Sequence, residues 1–467
     1  MGACSIPWGN DRGAPRGVDR KGVVKGAQRV VDMSEIAVIG GGIAGLAAAR
    51  TLRNAGKRCV VIEARDTLGG HVQSERIDDV TIDHGFQLFN SWYPALKEIL
   101  RPGEYSALGI KTFQPGFQTM TDQGLALIMD PVRAPALIPA FLRSSFDSAF
   151  SLRDLLGLQR WISREVPHRS SLEMRNLRKN QKLRDTEVAD SLSQSGVKRS
   201  LRKVALDPLV EAFLYDKEGE SSATFAKWLL MSLMRGNLAV PENGMGEISA
   251  TMARIPGCRF EMNSPIESIE INEGAAGGVK LHIRDAVTDE LRIEEYERAV
   301  LAVRPKDEHR LVRTPMPRVV GISSWWFISD EPVSQRPLFT VDGTGKTPIA
   351  GAAELTAAAP SYAPDRHLVA CNVVHSSEPL PSDRKVQDDL GVLFSVDSSK
   401  WELVKRQDHP NSKPIIAPTH AIKDSQVRQD IQQRIFLAGT HHATPTLDGA
   451  VRSGQLAARN LLKVEGK

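Results

Sequence analysis

Gly40, Gly42 and Gly45 stand at G-x-G-x-x-G spacing, and the residues on either side give that spacing a chemical use. The preceding run, Ile36-Ala37-Val38-Ile39, is continuous and β-prone, as a strand covered on both faces requires. Leu46–Leu52 reads as a helix that ends near Gly56. A strand, turn and helix in this order suit a dinucleotide pyrophosphate. Gly40 permits the tight turn, Gly42 lets backbone approach the phosphates, and Gly45 allows the helix to pack close to the strand. The amides of Ile43 and Ala44, at the start of the helix, then face the phosphates with the positive end of the helix dipole. Arg58–Ile62 forms a second strand. Glu63 closes it, placed to accept hydrogen bonds from the adenosine ribose hydroxyls.

These elements need a chain large enough to bury them. At 467 residues there is room for two domains, and an apolar share of 41% with a charged share of 25% suits a globular protein. Sixty basic residues against 56 acidic ones leave a net charge of +4, too small to argue for a nucleic-acid partner. No apolar run reaches the ~18 residues of a membrane span. Cys4, Cys59, Cys258 and Cys371 form no CxxC and have no histidine at metal-ligand spacing, which implies a reducing, cytoplasmic setting and no metal. Residues 1–33 lack an apolar period and read as a disordered tail or a non-native start, with Met33 then the natural first residue.

Downstream of Glu63, the run Glu63-Ala64-Arg65-Asp66-Thr67-Leu68-Gly69-Gly70 resembles the E-x-R-x-x-x-G-G continuation of one flavoprotein superfamily. Its members are the FAD-dependent amine oxidases, carotenoid desaturases and protoporphyrinogen oxidases. Further resemblances run through most of the chain. Asp83-His84-Gly85-Phe86-Gln87 is similar to the segment passing beside the flavin, and Pro241–Gly246 to a P-x-G-G-M-x turn with Asn243 at a glycine position. Arg259–Ile271 and Ala299–Val303 resemble strands returning to the nucleotide. Ile435–Thr440 and Leu447–Gly454 resemble the strand, turn and helix that cradle the ribityl chain and flavin.

The resemblance implies an α/β fold: a Rossmann-like FAD-binding domain, a parallel sheet with helices, joined to a discontinuous α+β substrate domain. Residues 34–105, 236–310 and 425–467 would form the first, and 106–235 and 311–424 the second. It implies one FAD. Ala64, Arg65, Gly69, Gly70 and His71 would contact the cofactor, with Gly85, Phe86 and Gln87 beside the flavin and the Ile266 backbone at the adenine. Gly439, Thr440, Leu447, Asp448, Gly449 and Ala450 would complete the cradle. There the helix amides would meet the flavin edge on which negative charge gathers.

Hydride transfer needs orientation more than a nucleophile, and histidine suits any accompanying proton transfer at neutral pH. His84, His441 and His442 are the acid/base candidates on this resemblance, and Arg235 is a candidate partner for a substrate carboxylate or a surface residue. Three departures stand out: His71 replaces an arginine, Thr440 replaces an acid, and Ala443–Leu447 lacks the aromatic pair with which the amine oxidases hold an amine. The expected substrate is therefore a small molecule that is bulky, lipophilic or conjugated, with Leu137, Phe141 and Trp326 as candidate cavity residues. An amine oxidase with a reshaped pocket is the alternative enzyme, and an escort-type binding protein on the same scaffold the alternative class. Leu137–Leu142 with its basic flank reads either as a foot on a membrane surface or as a core helix. Interleaved acids favour the core helix. The oligomeric state stays open.

Overall fold

The computed structural model describes residues 27–28, 35–129, 185–272, 277–375, 379–418 and 430–465, together with positions 133, 135, 157 and 160–162. Leu137, Phe141 and most of the helix expected between Ser151 and Val166 lie outside the described residues.

Ile36–Ile39 and Cys59–Ile62, each buried along its whole length, are interior neighbours in a six-stranded sheet. Its order is Arg259–Glu261, Cys59–Ile62, Ile36–Ile39, Ala299–Leu301, Ile435–Leu437 and Asp430–Ile431; every pair is parallel except the last. Burial on both faces explains why these strands show no alternation of apolar and polar residues. The first helix, Ile43–Asn54, crosses this sheet and packs along the terminal helix, Leu447–Glu465. Small residues set that approach. A Cβ on Gly454 would lie 2.0 Å from the Ala44 carbonyl oxygen, and one on Gly45 would lie 1.9 Å from that of Gly40.

The second large sheet has seven strands, ordered Glu402–Pro414, Val319–Ser329, His367–Val374, Ile349–Glu354, Phe339–Asp342, Gly116–Thr121 and Gly124–Met129. Strand alternation sends neighbouring tryptophans to opposite faces. Trp325 packs into a core with Val386 and Leu390, whereas Trp326 joins the main core and meets Phe86 edge-on at 6.4 Å. Trp326 is fully buried and does not reach the cavity, contrary to the expectation from its apolar bulk.

A buried arginine ties the first helix to its surroundings. Arg50 donates to the carbonyls of Met252, Thr251, Ile99 and Arg254 and to both carboxylate oxygens of Glu104. Ala27–Gln28 pairs in parallel with the strand Leu291–Tyr296, giving that sheet edge backbone partners. Among the described residues no helix is long and apolar enough to cross a membrane.

Candidate functional site

A cavity of about 530 Å³ extends from the glycine turn of the six-stranded sheet to the face of the seven-stranded one. Its nucleotide end is built from the fingerprint. Gly40, Gly42, Ile43 and Ala44 line it, and the first-turn amides of the helix beginning at Ile43 have no intrahelical acceptor. Gly40 has φ +100°, and a Cβ there would sit 2.4 Å from the Ala302 oxygen. A Cβ on Gly42 meets nothing closer than 3.9 Å, because that side opens on the cavity. Any side chain at Gly42 would fill the groove.

Glu63 also lines the cavity, and its carboxylate accepts the amides of Gly41 at 2.6 Å and Arg65 at 3.0 Å. Ala64, Arg65, Gly69, Gly70 and His71 continue the wall, and Ile266 faces it from the strand Ile266–Ile271. Further along are His84, Gly85, Phe86 and Gln87; the Gln87 amide donates to the His71 and His84 carbonyls and fixes this loop. Asp83 points inward instead. It is fully buried, accepts from Ser74, the Met245 amide and Tyr362, and burial pushes its carboxyl up to about 6.

The third piece departs from expectation in detail. Thr440, Leu447 and Ala450 line the cavity; Gly439, Asp448 and Gly449 do not. Asp448 is buried, accepts the Ala95 amide at 2.8 Å and pairs with Arg452 at 2.6 Å, so its carboxylate anchors the helix start. A Cβ on Gly449 would collide with the Thr444 oxygen at 2.1 Å, so this glycine serves the turn. Gly439 donates to Ser453 and carries the positive φ that lets the chain turn after its strand.

His441 lines the cavity and His442 does not, yet their Nε2 atoms lie 2.8 and 2.7 Å from one oxygen of Glu308. Burial raises the Glu308 carboxyl, but the hydrogen bonds and charges of the two histidines outweigh it and hold the group at about 2. Burial also lowers His441. His84 stands 3.8 Å from Glu75 and is lowered by burial, while His71 is exposed and meets the His409 ring edge-on at 6.4 Å. Arg235 lies 5.8 Å from the Trp92 ring and does not line the cavity.

Several cavity residues escaped the reading of the sequence. His409 presents a buried Nε2 with no hydrogen-bond partner among the described residues, 3.6 Å from where a Gly85 Cβ would stand. Lys413, at the end of the strand Glu402–Pro414, donates to the Phe213 oxygen at 2.7 Å and sits 4.2 Å from the centre of the Tyr215 ring. Burial of its amine pushes it down to about 7. Asn372 is held by Ser324 and donates to the Tyr215 hydroxyl at 3.2 Å and the Phe86 carbonyl at 2.9 Å. Phe339 stacks between Phe86 and Phe213, at 6.2 and 5.2 Å.

A glycine cradle, an acid at the strand end, free helix amides and an apolar chamber beyond them define a dinucleotide-dependent oxidoreductase whose cofactor carries the redox chemistry. The chain belongs to the family of flavin-containing amine oxidoreductases, whose model matches residues 43–462. Its cofactor is FAD. The open groove at Gly42 and the unpartnered His409 nitrogen fit such a group.

The chain is 39% identical over 80 residues to putrescine oxidase of Kocuria rosea, a match covering 17% of this chain and 16% of that one. Over 157 residues it is 32% identical to carotenoid phi-ring synthase of Streptomyces griseus, covering 32% and 30%. These matches span less than a third of either curated relative. The fold is also that of cyclohexylamine oxidase from Brevibacterium oxydans, with TM-score 0.65 at 18% identity over 93% of this chain and 100% of that one.

Proposed function

We propose that this flavoenzyme oxidises a bulky, largely apolar small molecule, held with its reacting carbon against the flavin by the aromatic end of the cavity. The same reading assigns residues 34–105, 236–310 and 425–467 to holding FAD, and 106–235 and 311–424 to the substrate side.

The observation that carries it is the make-up of that end. Ala212, Phe213, Leu229 and Phe339 line it together with the amine of Lys413, and the carboxylates among the described cavity residues, Glu63 and Asp307, belong to the nucleotide end. Among the described residues nothing at that end offers an ammonium substrate a counter-charge. An apolar one gains about 25 cal/mol for each Å² removed from water, enough to orient it without a charged clamp.

Held by the glycine turn, Glu63 and the helix amides at Ile43, FAD would supply the two-electron acceptor. Any proton that must also leave needs a base, and Lys413 fits that task. Its amine is neutral in a large fraction of molecules near pH 7, and its hydrogen bond to the Phe213 carbonyl, over the face of the Tyr215 ring, fixes its position. Asn372 and Ser324 offer the polar contacts that orient a hydroxyl, carbonyl or ring nitrogen.

Under anaerobic conditions the reduced-flavin spectrum is expected with a polyene, porphyrinogen-like or other large lipophilic donor, while benzylamine and short polyamines leave the flavin oxidised. Rapid bleaching by a small primary amine would instead establish an amine oxidase with a reshaped pocket. The match to putrescine oxidase keeps that second reading in view.

A further inference from the structure

We propose that Glu308, His441 and His442 form a binding site for one divalent first-row transition metal, with zinc the best-suited ion. The proposal does not depend on which substrate the flavin oxidises.

The three ligand atoms, two imidazole Nε2 atoms and one carboxylate oxygen, all lie within 4.8 Å of one another. Both nitrogens converge on the same oxygen of Glu308, at 2.8 and 2.7 Å. Adjacent residues in a tight turn ordinarily send their side chains apart. Here the rings of His441 and His442 come together, with centres 4.1 Å apart. The topology makes the convergence: Ala299–Leu301 and Ile435–Leu437 are parallel neighbours in the sheet. The helix Pro305–Val312 and the turn Thr440–His442 therefore leave the same end of the sheet side by side.

Charge argues for a cation between them. The Glu308 side chain is 2% exposed, and the His441 and His442 side chains are 5% and 13% exposed. Among the described residues the ion-pair partners of Glu308 are these two histidines alone. The two rings hydrogen-bond a single oxygen of this carboxylate, and burying a carboxylate without a full counter-charge is costly. A divalent cation balances the carboxylate and uses both ring nitrogens as ligands.

The donor set of two imidazoles and one carboxylate suits zinc, iron or cobalt and is a poor match to calcium or magnesium, which prefer oxygen ligands. Three protein ligands leave a tetrahedral ion one position short, as in an open rather than a closed zinc site, and His441 sets the cluster at the edge of the cavity.

The test uses the FAD-loaded full chain, stripped with a chelator, desalted and incubated with Zn²⁺ or Co²⁺. One equivalent of either metal should remain after gel filtration, by elemental mass spectrometry. Bound Co²⁺ should add ligand-field bands to the red of the flavin absorption, and Zn²⁺ should raise the thermal midpoint. Glu308→Gln and His442→Ala should each weaken Zn²⁺ binding more than about 100-fold, beyond what loss of an outer partner of a ligand causes. Retention of no metal by the unmodified chain at micromolar Zn²⁺ would overturn the proposal whatever the variants do. So would unchanged affinity in both variants, which would place the metal elsewhere.

Discussion

Glu63 Oε2 accepts the Gly41 amide at 2.6 Å, so the acid that ends one strand pins the glycine turn that follows its neighbour. The carboxylate thereby holds a concave turn open while keeping lone pairs for a ribose. Replacing Glu63 by alanine removes one charge-assisted hydrogen bond worth roughly 1.5–3 kcal/mol. Titration of flavin-free protein with FAD should show affinity lowered by about 10- to 100-fold. Unchanged affinity would mean that Glu63 serves the turn alone.

Lys413 should set the pH dependence of flavin reduction. Its amine, pushed down to about 7 by burial, becomes a base as it loses its proton, so the anaerobic reduction rate should rise with pH through that region. Lys413→Met should slow reduction by ~100- to 10,000-fold, the usual worth of a general base. Lys413→Arg should not restore it, because a guanidinium keeps its charge. A rate in Lys413→Met equal to that of the unmodified chain would remove the residue from the chemistry.

Arg50 predicts a stability effect away from the cavity. Arg50→Ala strips partners from four carbonyls and leaves the Glu104 carboxylate, 12% exposed, with only Arg101. A loss of about 3–5 kcal/mol is expected in denaturant unfolding. Arg50, acting first, holds the Glu104 carboxyl well below its usual value of 4.5. This stabilisation is therefore complete above that value and fades as pH falls below it. The deficit of Arg50→Ala should shrink in acid; a deficit constant with pH would show that the carbonyl bonds dominate.

The nucleotide end was legible in the sequence because its parts are local. Strand, turn, helix, second strand and acid follow one another, and each glycine there answers to a distance of a few ångströms. The chamber was not. Lys413, His409 and Tyr215 come from separate segments, and nothing in the spacing of a long β-strand tells which residue will end beside a ring. Glu308 meets His441 across 133 positions, and Cys59 lies 3.7 Å from Cys258 across 199, so neither pair leaves a motif. Asp448 misled for a different reason: an acid at a helix start fits either a ligand cradle or a backbone anchor, and only its bond to Ala95 decides between them.

The parallel sheet has a consequence for synthesis. Ile435–Leu437 is the neighbour of Ala299–Leu301, and the terminal helix packs along the first one, whose Ala44 meets Gly454. Strand Ile36–Ile39 and the helix after it must therefore wait for residues 430–465 before their sheet and its cofactor groove can close. Such distant pairing makes for slow folding and prolonged exposure of sticky strands. A nascent chain halted before residue 430 would hold a complete glycine fingerprint and still be unable to retain its flavin.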